Sequence, residues 1–113
     1  MPNFTYFGPV QVDGGFGTYV ILTTGPHLAN GTFRFFTKDG VEFVQHSGGF
    51  TYFTNSRSFI EAPPTSATVE IASDVPLHAS CYEFEKKGSN INPVAIFNLK
   101  ELYLFPPTLG TEG

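Results

Sequence analysis

Short apolar segments, separated by closely spaced turn signals, run along the whole chain. Glycine- and proline-rich turns such as VDGG at 12–15, SGG at 47–49 and APPTS at 62–66 alternate with segments rich in β-branched and aromatic residues. This alternation of turns and short strand-like segments is typical of antiparallel β-sandwiches and barrels. It predicts an all-β, antiparallel β-sandwich or jelly roll with strands near 4–7, 17–24, 32–37, 41–46, 50–54, 57–60, 67–72, 77–85 and 94–105.

No composition shift or linker divides the chain. We therefore predict one β domain over residues 1–113, with 107–113 as a C-terminal tail. A chain of 113 residues can bury about two-thirds of the surface that its unfolded form exposes, which is enough for a core of its own.

The segment before this tail fits two structures. Asn92 is a suitable helix cap with Pro93 at the first helical position, and apolar residues then recur at helical spacing until Pro106. Against this, the run is rich in strand formers, and its apolar residues also share strand parity. We predict a strand over 93–105 and keep one short C-terminal helix as the alternative.

A hairpin over residues 32–46 is the sharpest local prediction. The loop Lys38–Gly40 suits a type I turn followed by Gly40 in the left-handed region, which pairs Thr37 with Val41 and places Phe35 opposite Phe43. In this register one face carries Phe33, Phe35, Val41 and Phe43, and the other carries Arg34, Phe36, Glu42, Val44 and His46. A two-residue loop exchanges Phe43 and Val44, but Phe36 lies opposite Phe33 and Phe35 in both registers.

Several strands are apolar on both faces. In TYVILTT at 18–24, Tyr19 and Ile21 alternate with Val20 and Leu22. A two-layer sandwich covers only one face of each sheet, so the second face needs a loop, a helix or another chain, unless its aromatic residues are simply exposed, as many surface apolar groups are. We predict a core that includes Phe33, Phe35, Tyr19, Ile21, Val69 and Ile71.

The apolar residues left outside this core predict a protein interface. We place it around Phe36, beside Val44, with Arg34, Glu42 and His46 as a polar rim and Phe53 as a further apolar member. An apolar centre with a polar rim is the usual anatomy of a protein contact.

The number and sign of the charged residues limit the classes of partner that we expect. The chain has six Lys and Arg against ten Asp and Glu, and only 14% of its residues are charged. Nucleic-acid binding requires clustered cations, so we expect no nucleic acid partner. The low charge, well under the usual 25% or so, favours a surface that is partly covered by another protein.

Candidate chemistry is sparse. His27, His46 and His78 lie in separate segments without a metal-ligand spacing, and a strand places His78 and Cys81 on opposite faces. Cys81 shares parity with Leu77 and Ala79, as a small core residue would. We predict no catalytic residues, no metal, no cofactor and no enzymatic activity.

The amino terminus MPNFTYF lacks the features of a signal peptide, and no apolar run reaches the length of a membrane span. We expect a protein made in the cytoplasm without a signal peptide and with no membrane partner. The leading function is a structural or interaction subunit of an assembly, such as a virion, tail or capsid-decorating component or another homo-oligomeric scaffold. The alternatives are a carbohydrate- or small-ligand-binding β-sandwich that uses Tyr19, Tyr52 and Tyr103, and a small cupin-like enzyme.

Overall fold

The computed structural model of the protein describes residues 4–102, which form two antiparallel β-sheets packed face to face. The strands are β1 Phe4–Pro9, β2 Phe16–Thr24, β3 Ala29–Thr37, β4 Gly48–Tyr52, β5 Arg57–Glu61, β6 Ser66–Ser73, β7 Leu77–Lys87, β8 Asn90–Asn98 and β9 Lys100–Leu102, with a 3₁₀ helix at Val44–His46. Sheet 1 has the order β4, β3, β6, β1, β9, and sheet 2 has the order β5, β2, β7, β8. The predicted β-sandwich is confirmed.

The C-terminal segment is strand as far as the structure describes it. Pro93 lies inside β8, which pairs with β7, and β9 pairs with β1 in the other sheet. The helical alternative for 93–105 is therefore wrong over 93–102. Residues 103–105 and the predicted tail at 107–113 lie outside the described residues.

The core lies between the two sheets. Sheet 1 contributes Phe35, Val69 and Ile71, each at most 1% exposed, and sheet 2 contributes the fully buried Val20 and Leu22. Burial of each such side chain stabilises the fold by about 1.5–3 kcal/mol. The prediction is confirmed for Phe35, Val69 and Ile71, and Phe33 is partly buried against the same cluster.

Tyr19 and Ile21 were predicted in the core, and this is wrong. Both are only partly buried and lie on the outer face of sheet 2, because β2 turns Val20 and Leu22 inward. The inner parity of β2 also contains Thr18 and Thr24, which are buried. Their hydroxyls bond loop backbone: Thr18 Oγ1 donates to the carbonyl of Gln11 at 2.8 Å, and Thr24 Oγ1 donates to the carbonyl of Phe53 at 2.6 Å.

The hairpin at 32–46 is half confirmed. Its loop has the predicted register, since the Thr37 amide donates to the Val41 carbonyl at 2.8 Å and Gly40 has a φ of +84°. The Phe43 amide likewise donates to the Phe35 carbonyl at 2.8 Å.

The predicted strand over 41–46 is wrong beyond this point. Ser47 explains the break, because its hydroxyl accepts from the Phe35 amide at 3.2 Å and donates to the Phe43 carbonyl at 2.8 Å. The ladder stops there, the chain turns through the 3₁₀ helix, and β4 pairs with the remainder of β3. Val41, predicted on the core face, is 62% exposed.

The corrected orientation of β2 predicts unequal costs for two adjacent substitutions. Leu22→Ala removes a fully buried side chain and should lower the free energy of unfolding by about 2–5 kcal/mol. Ile21→Ala should cost less than half as much, because Ile21 lies on the outer face. Urea denaturation of both variants measures the difference, and equal losses would contradict the assigned faces.

Candidate functional site

Three residues of the predicted interface, Arg34, Phe36 and Glu42, lie in contact on the outer face of sheet 1. The Arg34 guanidinium lies over the Phe36 ring, 5.2 Å from its centroid. Its Nη2 donates to Glu42 Oε1 at 3.1 Å, and its Nη1 donates to Glu70 Oε1 at 3.0 Å. The hydrogen bond between Arg34 and Glu42 raises the pKa of Arg34 and lowers the pKa of Glu42. Phe36 faces away from the core, as its parity predicts, and Arg34 covers part of it.

The other predicted interface residues are more dispersed. Val44 is 72% exposed and shares a shallow hollow with Arg34 and Glu42. His46 is exposed and contacts the edge of the Phe43 ring, with 6.1 Å between ring centroids. Phe53 is 74% exposed and follows β4, whose end pairs with Ala29 at the opposite end of β3 from Arg34. Five residues, or about 16 Å of strand, separate Ala29 from Arg34, so Phe53 lies away from the Arg34 cluster.

A role for Phe36 in association remains a prediction, and it can be measured against its neighbour. Phe35→Ala should lower the free energy of unfolding by about 3–5 kcal/mol, because Phe35 is 1% exposed. If Phe36 anchors a partner, Phe36→Ala should leave the thermal melt nearly unchanged and cost about 2 kcal/mol or more of association energy. Thermal melting and solution mass separate the two effects. Equal destabilisation by both variants would assign Phe36 a purely structural role.

A second apolar surface lies on the outer face of sheet 2. The strand register brings its members together: Ile21 lies opposite Phe59, Tyr19 lies opposite Tyr82, and Tyr82 lies opposite Ile96. We call this surface the aromatic face, and its members are Tyr19, Ile21, Phe59, Tyr82, Phe84 and Ile96. The aromatic face is not predicted by the sequence, because Tyr19 and Ile21 are expected in the core.

Ring contacts join the aromatic face into one cluster. Tyr19 meets the edge of Phe59 with 6.3 Å between ring centroids, and lies 5.2 Å from Phe84. Phe84 in turn lies 6.1 Å from Tyr82. Such aromatic pairs are favourable by about 0.5–1.5 kcal/mol beyond the area that they bury.

Phe84 is the buried member of the aromatic face because β2 carries Gly17 opposite it. A Cβ at position 17 would lie 2.4 Å from the Phe84 ring, so only glycine lets the ring lie flat on the sheet. Phe84 is 1% exposed although it is on the outer face of the sandwich. Beyond it lies a shallow cavity of about 240 Å³, which is lined by Val12, Gly15, Phe16, Gly17, Glu61, Ala62, Pro64, Phe84 and Lys86.

The two edge strands carry the exposed members of the aromatic face. Phe59 on β5 is 59% exposed, and Ile96 on β8 is 68% exposed. Polar side chains border the face: Arg57 and Glu61 lie at the β5 edge, and the register places His78 opposite Thr23.

The described side chains that could act as nucleophiles or metal ligands do not form a common site. Cys81 is fully buried in the core, where desolvation and then the charge of Glu83 raise the pKa of its thiol to about 12, so it is a poor nucleophile. His78 is exposed on the opposite face of β7. Within residues 4–102, no three His, Cys, Asp or Glu side chains group closely enough to hold a metal ion.

The tyrosines of the carbohydrate-binding alternative also lie apart. Tyr19 belongs to the aromatic face of sheet 2, whereas Tyr52 is on β4 of sheet 1 and stacks on Phe50 with 4.7 Å between ring centroids. Tyr103 lies outside the described residues. No helix between residues 4 and 102 has the length and apolar character needed to cross a membrane.

Comparison with known proteins supports the fold. No protein family model matches the chain, and no curated protein matches it. The structure is similar to the crystal structure of Thermotoga maritima 1070, with a TM-score of 0.61 over 87% of this chain and 91% of that chain, at 10% sequence identity. At this identity the similarity shows a shared fold alone.

Proposed function

We propose that the protein is a non-enzymatic structural or interaction subunit that associates with further copies of itself through sheet 2. The observation that carries this proposal is the exposure of Phe59: its side chain is 59% exposed on the edge strand of sheet 2, at the border of the aromatic face. A virion, a tail, a capsid-decorating layer and other homo-oligomeric scaffolds all employ subunits of this kind.

Energetic arguments favour a covered rather than a solvated face. Withdrawing the exposed parts of Phe59 and Ile96 from water would contribute, for each side chain, a part of the about 1.5–3 kcal/mol that full burial gives, before the cost of association. Single exposed apolar residues are ordinary on protein surfaces, but these two border a contiguous cluster. The polar residues at its edge, Arg57 and Glu61, complete an apolar centre with a polar rim.

The low charge of the chain agrees with this proposal. With 14% charged residues, few side chains are left to keep both outer faces hydrated. Sheet 1 places one arginine and two glutamates together over its outer face, around Phe36. On sheet 2, the aromatic face has no such cover among the described residues.

Solution mass tests the proposal directly. The full chain should elute with a mass that is a multiple of 12.4 kDa by size-exclusion chromatography with light scattering. Phe59→Ser should shift the mass towards one chain, because it removes the exposed aromatic ring. Val41→Ser is the matched control, since Val41 is 62% exposed but lies in the turn after β3. A parent protein with the mass of one chain at about 100 μM, a concentration at which even weak dimers with micromolar Kd associate, would refute the proposal.

The non-enzymatic part of the proposal has its own measurement. The purified protein should contain no stoichiometric zinc, iron or manganese, because its histidines are dispersed and its cysteine is buried in the core. Elemental analysis of protein purified without chelators gives the metal content per chain. One equivalent of any of these metals would favour the enzyme alternative instead.

A further inference from the structure

Among the described residues, strand β5 is an unpaired edge of sheet 2, and it has an unusual arrangement of charge. Its outward side chains are Arg57, Phe59 and Glu61, so that opposite charges flank a central phenylalanine at equal spacing. All three are exposed. Within residues 4–102, neither Arg57 nor Glu61 has a side-chain hydrogen bond or a salt bridge.

The backbone N–H and C=O groups of the same three residues point away from β2. The Ala62 amide donates to the Thr18 carbonyl at 2.9 Å, and the Thr24 amide donates to the Ser56 carbonyl at 2.9 Å, at the two ends of the β2–β5 pairing. Hydrogen-bonded and non-hydrogen-bonded pairs alternate along an antiparallel ladder. Ser58 and Ile60 therefore bond to β2, and the N–H and C=O groups of Arg57, Phe59 and Glu61 face the free edge.

We propose that a second copy of this chain pairs with this edge, β5 against β5 in antiparallel orientation, with a two-fold axis at Phe59. In that register Phe59 lies opposite Phe59 of the other copy, and Arg57 lies opposite Glu61. Each of these pairs exchanges two N–H···O bonds, so the edge groups of all three residues are satisfied. The two four-stranded sheets become one continuous sheet with a doubled aromatic face. This inference rests on the proposed function and specifies one contact between copies, at the β5 edge; Ile96, on the opposite edge strand β8, is left to contacts with further copies.

Charge complementarity selects a second copy and a single register. Edge strands commonly carry charged side chains, especially Lys, or inward-pointing charges, and these prevent pairing. Here an antiparallel copy centred on Phe59 brings unlike charges within about 5 Å, whereas a parallel copy in register places like charges together. A shift by two residues puts a charge opposite the ring instead. Pro63 and Pro64 follow the strand closely and confine the pairing to its five residues.

Charge reversal tests the register. Arg57→Glu and Glu61→Arg should each weaken dimerisation by about tenfold, because both symmetry-related pairs become like-charged. The double variant R57E/E61R restores unlike pairs and should return the dissociation constant to near the parent value. Lys38→Glu is the control of equal charge change in the β3 turn, where Lys38 is exposed. Sedimentation over a range of concentrations gives the constants. Single variants that dimerise like the parent, or a double variant weaker than both, would overturn the proposal.

Cross-linking tests the axis independently of charge. The Cα atoms of a hydrogen-bonded antiparallel pair lie about 5.5 Å apart, within the range that a disulfide spans. Phe59→Cys should therefore form a covalent dimer under mild oxidation. Phe53→Cys is the control, because Phe53 is more exposed but lies off the axis, and Cys81 is buried in both variants. Equal cross-linking of the two variants, or none in either, would overturn the two-fold contact at Phe59.

Different results would refute self-association and the β5 contact. A parent protein that remains a single chain refutes self-association and this inference with it. An oligomeric parent that is insensitive to charge reversal and does not cross-link at position 59 leaves the proposed function standing and refutes only the β5 contact.

Discussion

The two-residue alternation of side chains in β2 is the constraint on which the rest of the sandwich depends. This strand lies inside sheet 2 and carries large apolar residues at both parities, so burying one set exposes the other. Val20 and Leu22 take the core positions opposite Phe35, Val69 and Ile71. Tyr19 and Ile21 are then fixed on the outer face, and a one-residue slip would exchange the sets. The outer surface of sheet 2 is thus a direct result of how its core is filled.

The threonines at the ends of β2 make this choice stable. Thr18 Oγ1 exchanges hydrogen bonds with the backbone of Gln11, and Thr24 Oγ1 accepts from the Ser56 amide at 2.8 Å. Buried hydroxyl groups are tolerated when they are hydrogen-bonded in this way. These contacts attach the β1–β2 and β4–β5 connections to the two ends of the strand. The inner face of β2 therefore has apolar residues in its middle and polar groups that bind loops at its ends.

The sequence predicts the fold well because the turns carry strong local signals. The loop at Lys38–Gly40 was predicted in its correct register, and the glycine takes the positive φ that this loop requires. What the sequence could not predict depends on contacts between distant residues. Ser47 accepts the Phe35 amide hydrogen bond and ends the hairpin, and the Thr24 hydroxyl reaches the carbonyl of Phe53, 29 residues along the chain. The aromatic face could not be found from parity alone, because either face of β2 is apolar enough to form a core.

The outer faces of the two sheets differ in which groups lie over and beside their aromatic rings. On sheet 1, Phe36 lies beneath Arg34, which is held by Glu42 and Glu70 from two other segments of the chain. Exposed ion pairs of this kind contribute little to stability, but they keep a charged group over the ring and so keep that surface hydrated. On sheet 2, Phe84 lies over Gly17 and among its aromatic neighbours, and Glu61 and Lys86 line the shallow cavity beside it. The charged residues nearest Phe59 along β5 are Arg57 and Glu61, which lie beside the ring and not over it. The ring is therefore open to a partner, and the opposite charges distinguish the two ends of the edge.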